Sequence, residues 1–242
     1  MSETSQPSIV LRRPQDLSAA PSSADFVEFL SLGLCGYQEM MDRMRDWTDR
    51  RSDHTRDQVW LLEHPPVFTQ GVSCCDVPMT NPLDIPVIKS DRGGQITYHG
   101  PGQLIAYFLI DLKRRKMGVR QLVRLLEEAT IELLSDVGLQ ATTRPGAPGV
   151  YVGDAKIAAL GLRVRAGRSY HGLSLNVAMD LEPFGWINPC GFQGVHRHSR
   201  PETDRFLSYQ APAEYPPRFR EHRAAPQRSP PRLSLDSRFE DA

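Results

Sequence analysis

Apolar residues recur at intervals of three and four in two stretches of the chain. Over residues 37–47 they are Tyr37, Met40, Met41, Met44 and Trp47, with Gln38, Asp42, Arg43 and Asp46 between them. Over residues 121–137 they are Leu122, Leu125, Leu126, Ala129, Leu133 and Val137, and Gly138 stands where a helix should stop. Both spacings predict amphipathic helices whose stripe must bury against something, so the methionines read as core residues and not as a ligand set. The second helix is long enough to cover one face of a sheet. Apolar or alternating runs predict strands at 26–30, 59–62, 87–90, 104–111 (LIAYFLID) and 170–179 (YHGLSLNVAM). The stretch GVYVGDAKIAALGLRV, residues 149–164, reads as two strands joined by the tight-turn pair Gly153-Asp154.

Two stretches break the pattern. EHPPVFTQG, residues 63–71, where His64-Pro65-Pro66 ends the preceding strand and Gly71 permits a turn, reads either as a second loop with functional potential or as a proline-stiffened connection. DRGGQITYHGPGQ, residues 91–103, crowds glycines with Arg92, Thr97, Tyr98, His99 and Gln103, and suits neither a helix nor an ordinary strand. It reads as a binding loop. Gly93 and Gly94 allow positive φ and close backbone approach, so their N–H groups could face an oxygen, and Arg92 could add a cationic fork.

Four further features carry candidate chemistry. Period two puts Lys156 on one face with Ala158, Leu160 and Leu162, which fits either a lysine snorkelling at a strand end or a catalytic amine. His171-Gly172 lies near the start of its strand, where a hydrogen-bonded structural histidine is the plainer reading and Gly172 implies close approach of another group. Cys190, in INPCGF, follows an Asn-Pro turn and precedes a glycine, a setting that can present a thiol. Cys35 reads as a small hydrophobe, and Cys74 and Cys75 as bystanders in a polar loop. The KRRK cluster at 113–116 reads as a solvated corner or as a landing patch for an acidic protein.

Composition narrows the class. The 242 residues carry 29 Lys and Arg against 29 Asp and Glu, so a general nucleic-acid binder is not expected. No apolar run approaches the roughly 20 residues that cross a bilayer, and the N-terminus lacks a signal-peptide core, so the expectation is a cytoplasmic protein without a membrane anchor. Residues 1–25 and the tail 210–242, with six prolines and six arginines, flank a single expected domain at 26–209. There is no P-loop or dinucleotide fingerprint, and His196-x-His198 alone is poor evidence for a metal.

RGGQITYHGPGQ, GVYVGDAKIAALGLRV, HGLSLNVAMD and INPCGF occur in that order, preceded by EHPPVFTQG. In these motifs the chain resembles the lipoyl(octanoyl) transferases of lipoate biosynthesis, over roughly residues 26–192. The resemblance implies an α/β (α+β) fold of the biotin and lipoate protein ligase type, a mixed sheet packed against helices in a single domain. It also implies transfer of an octanoyl group from octanoyl-acyl carrier protein to a lysine of lipoyl domains, those of 2-oxoacid dehydrogenases and the glycine cleavage H protein. No cofactor is implied, because the thioester arrives activated.

Carried over by position, the acyl-thioester nucleophile falls on Cys190 and the lysine that tunes its pKa on Lys156. The substrate-binding loop falls on Arg92, Gly93, Gly94, Gln95, Ile96, Thr97, Tyr98 and His99. Further contacts fall on Ala159, Leu160 and Gly161 and on Gly172, Leu173 and Ser174. A closed apolar tunnel lined by Tyr98, Leu160 and Leu162 is expected to select the acyl chain. An ATP-dependent ligase of the same fold, a silent binding module and a protease-type Cys190-His171 pair are the competing readings.

Overall fold

A computed structural model describes residues 27–74 and 79–187, together with the backbone of a two-residue strand at Arg205–Phe206. The described elements are β1 (Val27–Leu34), α1 (Tyr37–Arg50), β2 (Asp57–Glu63), β3 (Val67–Gln70), β4 (Val87–Lys89), β5 (Ile96–His99), β6 (Gln103–Leu109), α2 (Val119–Asp136), β7 (Val150–Val152), β8 (Ala155–Arg165), β9 (Arg168–Asn176) and β10 (Arg205–Phe206). A short 3₁₀ turn spans Glu182–Trp186. The large sheet has the order β1-β2-β6-β9-β8-β10, with β7 also on β8. It is mixed: β1 runs parallel to β2 and β10 to β8, and the other pairs are antiparallel.

The helices pack on opposite faces of this sheet; in α2 the buried line is Leu122, Leu126, Thr130 and Leu134, whereas Ala129 and Leu133 of the expected stripe are exposed. Met40 and Met44 of α1 pack on Trp60, Leu62, Ile105, Tyr107, Leu109 and Tyr170. On the opposite face, Leu134 of α2 meets Val150, Ile157, Ala158, Leu173 and Leu175, while Leu122 and Leu126 meet Ile110, Leu112, Leu160 and Leu162. Each such side chain, fully buried, contributes about 1.5–3 kcal/mol before entropy is counted. Gly138 ends α2 as its position predicted: its φ is +80°, and Leu139 N–H donates to Leu134 O at 2.9 Å.

Both stretches read as loops contain strands. β3 lies within residues 63–71 and β5 within residues 91–103, and with β4 they form a second sheet in the order β4-β3-β5. Four-residue strands flanked by proline and glycine are too short to show a period, and what holds them is burial. Phe68, Ile96 and Tyr98 pack in a second core with Ile85, Met179, Phe184 and Ile187.

The cationic cluster is no solvated corner. Asp57, fully buried on β2, accepts hydrogen bonds from Arg51, from Arg114 at 2.7 Å, from Arg115 at 2.5 Å and from Asp111 N–H at 2.8 Å. Arg114 also donates to the carbonyls of Asp53 and Thr55. Two of the four cations thus tie the exit of β6 to β2, which leaves Lys113 and Lys116 for any partner. No helix among the described residues is long and apolar enough to cross a membrane.

Candidate functional site

The antiparallel register of β7 on β8 shifts by one residue, from Tyr151 opposite Lys156 to Val150 opposite Ala158. Ile157 is the extra residue of a β-bulge, and it packs with Ala158 against the α2 side. The bulge reverses the parity of everything before it. Lys156 therefore does not share a face with Ala158, Leu160 and Leu162, as strict period two predicts. It lies on the opposite face with Tyr151, its Nζ 5.3 Å from that ring and donating to Pro148 O at 3.3 Å. A methyl group on Gly149 would sit 3.1 Å from Lys156 Cε, so that glycine leaves room for the lysine stem.

Ala159 and Gly161 share the Lys156 face, and across the ladder Ala159 pairs with Ser174 and Gly161 with Gly172. The two carried-over triplets are thus neighbours. Their middle residues differ: Leu160 pairs with Leu173, and both side chains pack toward α2. Leu162 does the same, whereas Tyr98 belongs to the second core with Phe68 and Phe184. The expected tunnel lining of Tyr98, Leu160 and Leu162 is therefore not a common surface. Gly172 is glycine because a Cβ there would lie 2.1 Å from Ala106 O, so the group approaching it is the neighbouring strand of its own sheet.

The glycine loop lies over β8. Gly93 N–H donates to Leu162 O at 3.0 Å, and a methyl on Gly161 would lie 3.1 Å from Gly93 O. That amide is occupied by the sheet and does not face a ligand. Arg92 is not an open fork either. Its buried guanidinium donates to Thr69 Oγ1, Thr69 O, Gly93 O and Gln95 O at 2.6–3.0 Å, tying the loop to β3. Burial lowers its pKa, and no carboxylate pairs with it among the described ion pairs, so it is a held positive charge beneath the loop. From the far side Gly71 closes the clasp: a Cβ there would lie 2.2 Å from Gly94 O and 2.9 Å from Arg92 Nη1. Gly71→Ala should therefore displace the loop and cost about 1–3 kcal/mol, read as a lowered Tm.

His99 sits at the end of β5 in a chain of ordered protons. Its Nδ1 donates to Gln103 Oε1 at 2.7 Å, since Gln103 Nε2 donates to Asn176 Oδ1 at 2.8 Å, and Thr69 Oγ1 lies 3.3 Å from its Nε2. His64, at the end of β2, donates from Nδ1 to Cys35 O at 2.7 Å and accepts from Tyr107 Oη at 2.7 Å. Burial lowers His64 to about 4 and His99 well below the ordinary value, so both rings are neutral at pH 7. Tyr37 stacks on His99 at 5.9 Å and meets His64 edge-on at 5.2 Å.

Asp91, His64, Tyr37 and Tyr107 were not singled out as site residues from the sequence. Asp91 alone carried a usable signal, as a carboxylate directly before the glycine loop. Of the remaining carried-over positions, Gly94 is exposed, Gln95 and Thr97 are half-buried, and Ile96 is in the second core. Cys190 lies outside the described residues, as do Cys75, His196 and His198. The described residues hold no cluster of three or more His, Cys, Asp or Glu able to bind a metal.

Comparison with known proteins agrees with this architecture. The lipoyl protein ligase A/B catalytic domain matches residues 37–203. The octanoyltransferases of Pseudomonas entomophila (strain L48) and Enterobacter sp. (strain 638) are each 56% identical over 164 residues, covering 68% of this chain and 76% and 77% of theirs. Among solved structures, lipoate-protein ligase A bound with ATP superposes with a TM-score of 0.57 at 17% identity, covering 75% of each chain. A bi-partite lipoate protein ligase from Thermoplasma acidophilum gives 0.53 at 20% identity over 66% of each chain. These two likenesses bear on the fold alone. A family match over most of the chain and more than half of the aligned residues identical in curated relatives mean that this chain belongs to the octanoyltransferases of the lipoyl protein ligase A/B family and is a transferase.

Proposed function

We propose that the chain moves an octanoyl group from octanoyl-acyl carrier protein to a lysine of lipoyl domains, in the cytoplasm, through a thioester on Cys190. The acceptors are the lipoyl domains of 2-oxoacid dehydrogenases and the glycine cleavage H protein. The observation that carries this reading is the bulge at Ile157, which turns Lys156 onto the face that also bears Ala159, Gly161 and Ser174. There the ammonium stands clear of the apolar α2 core, held by Pro148 O and the Tyr151 ring. Bulges re-aim single side chains in this way next to active sites.

In the first step the Cys190 thiolate attacks the donor thioester carbon, the C–S bond to phosphopantetheine breaks, and the departing thiolate takes a proton from Lys156. In the second, the acceptor amine attacks the Cys190 thioester, an amide C–N bond forms, and the amine proton passes to Lys156 as the enzyme thiolate leaves. The first half-reaction leaves Lys156 as a neutral amine, and the second returns it to the ammonium. Arg92 to His99 form the loop over the acyl chain, with Ala159 to Gly161 and Gly172 to Ser174 as its floor; Leu160 and Leu173 would contribute backbone only.

Intact mass after mixing with octanoyl-acyl carrier protein, in the absence of ATP, tests the class. The expected result is one octanoyl adduct that lysine-bearing lipoyl domain discharges. A protein charged only when ATP is supplied would be a ligase, and one that binds without turnover a binding module. Lys156→Met should still accept the octanoyl group, but about 10²- to 10⁴-fold more slowly. Unchanged adduct formation in that variant removes Lys156 from the mechanism, and a dead His171→Ala beside it would point to the protease-type pair.

A further inference from the structure

Asp91 directly precedes the glycine loop, and three side chains from two elements converge on its carboxylate. Arg45 Nε of α1 donates to Oδ2 at 3.1 Å, Tyr170 Oη of β9 to Oδ2 at 2.7 Å, and His171 Nε2 of β9 to Oδ1 at 2.8 Å. Tyr170 and His171 are consecutive residues of a strand, so their side chains should point to opposite faces. They do not: the rings stack at 5.1 Å, and both reach the same carboxylate. The reason is the His171 backbone, whose φ of +58° is a left-handed conformation that costs a non-glycine residue about 1–3 kcal/mol unless its surroundings hold it.

The charge states follow from the contacts. Burial alone would raise the Asp91 pKa, but the hydrogen bonds from His171, Tyr170 and Arg45 hold it well below the usual carboxylate range. Burial pulls His171 down against the opposing pull of Asp91, which makes its ring neutral at pH 7. A neutral ring donating to an ionised carboxylate must carry its proton on Nε2. Nδ1 is then a bare acceptor. It is buried and has no hydrogen-bond partner, and the rings of Tyr37 and Tyr107 lie 6.4 Å and 5.9 Å from the imidazole.

Asp91 therefore stands between the two separate segments of the candidate site. On one side the chain continues into Arg92, Gly93 and Gly94. On the other, His171 continues into Gly172, Leu173 and Ser174. We propose that Asp91 is a positioning residue for octanoyl transfer: by clasping Arg45, Tyr170 and His171 it ties the start of the glycine loop to β9 and sets His171 as the Nε2–H tautomer. This inference rests on the transferase reading given above. Nothing in it requires Asp91 to touch the substrate, since the carboxylate acts through the backbone of the loop and the orientation of the imidazole.

The test uses the full chain, with steady-state octanoyl transfer, thermal melting and long-range ¹⁵N–¹H spectra of the imidazoles. Wild type should show His171 as a single Nε2–H tautomer. Asp91→Asn should lower kcat on the order of 10- to 100-fold with KM for the donor little changed, because the apolar contacts of the acyl chain survive while its alignment does not. In that variant His171 should become a mixture of tautomers. Asp91→Glu, which keeps the carboxylate, should restore the Nε2–H form and part of kcat. A folded Asp91→Asn with wild-type kcat overturns the proposal, as does a wild-type ring protonated on Nδ1, which needs no variant to fold. A wild type that takes up no octanoyl group sinks the transferase reading and this one with it; equal activity in wild type and Asp91→Asn sinks only this one.

Discussion

Cys190→Ala should gain no octanoyl mass and lose transfer by at least about 10³-fold, while melting at the wild-type temperature. Sulfur suits the intermediate, because exchange between two thioesters is nearly balanced and leaves the acyl group reactive toward an amine. An unassisted thiol of pKa about 8.5 is only a few per cent thiolate at pH 7, so the cysteine that reacts must have help. Of the two cysteines among the described residues, Cys35 is no substitute. Cys35 is pushed the wrong way, with burial and then Glu39 raising its pKa against a smaller opposing pull from Arg43, and its Sγ is turned to Leu32 O at 3.3 Å. Cys74 lies near Arg92 in the second core, at the edge of the loop. The decisive measurement is peptide mapping of the wild-type adduct. An octanoyl group on Cys74, or an undiminished adduct in Cys190→Ala, would overturn the assignment of the nucleophile.

How much of this was legible in the sequence depends on how each feature is encoded. The two helices were legible because fourteen and eighteen residues give a 3.6-residue period room to repeat. The hairpin of β7 and β8 was legible because Gly153, at φ +56°, takes a conformation few residues share. The small sheet was not, since β3 and β5 have four residues each and owe their existence to partners distant in the chain. The face of Lys156 was misread for a related reason. A bulge is a property of the pairing of two strands, and one strand's alternation contains no sign of the extra residue. His171 repeats the lesson with a backbone dihedral, which a sequence does not display for a non-glycine residue. Arg92 read as an open cationic fork, and only the fold shows that β3 and the loop itself take up its donors. Which way these side chains point is set by pairings and dihedrals that the motifs do not display.

Asp57→Asn should destabilise the fold by about 3–5 kcal/mol, the range for breaking a buried ion pair by removing one partner. For a domain of this size that corresponds to a fall in Tm of roughly 6–20 °C. Three guanidiniums depend on this one carboxylate, and the side chains of Arg51 and Asp57 are wholly inaccessible to solvent. Asparagine keeps the shape and one acceptor oxygen but removes the negative charge. It also turns an amide N–H₂ toward donors that have nothing to give it a lone pair. Several nitrogens of the cluster, Nε of Arg51 and of Arg114 and Nη2 of Arg115, already lack hydrogen-bond partners, so the cluster has no reserve. The loss should be insensitive to ionic strength, because salt screens exposed charges far more than buried ones. Arg51→Met in the Asp57→Asn background should recover part of it, since the costly species is the uncompensated cation and not the missing bond. A Tm for Asp57→Asn equal to that of wild type, or a double variant less stable than either single one, would mean that the cluster is solvated and that its cations are available to an acidic partner after all.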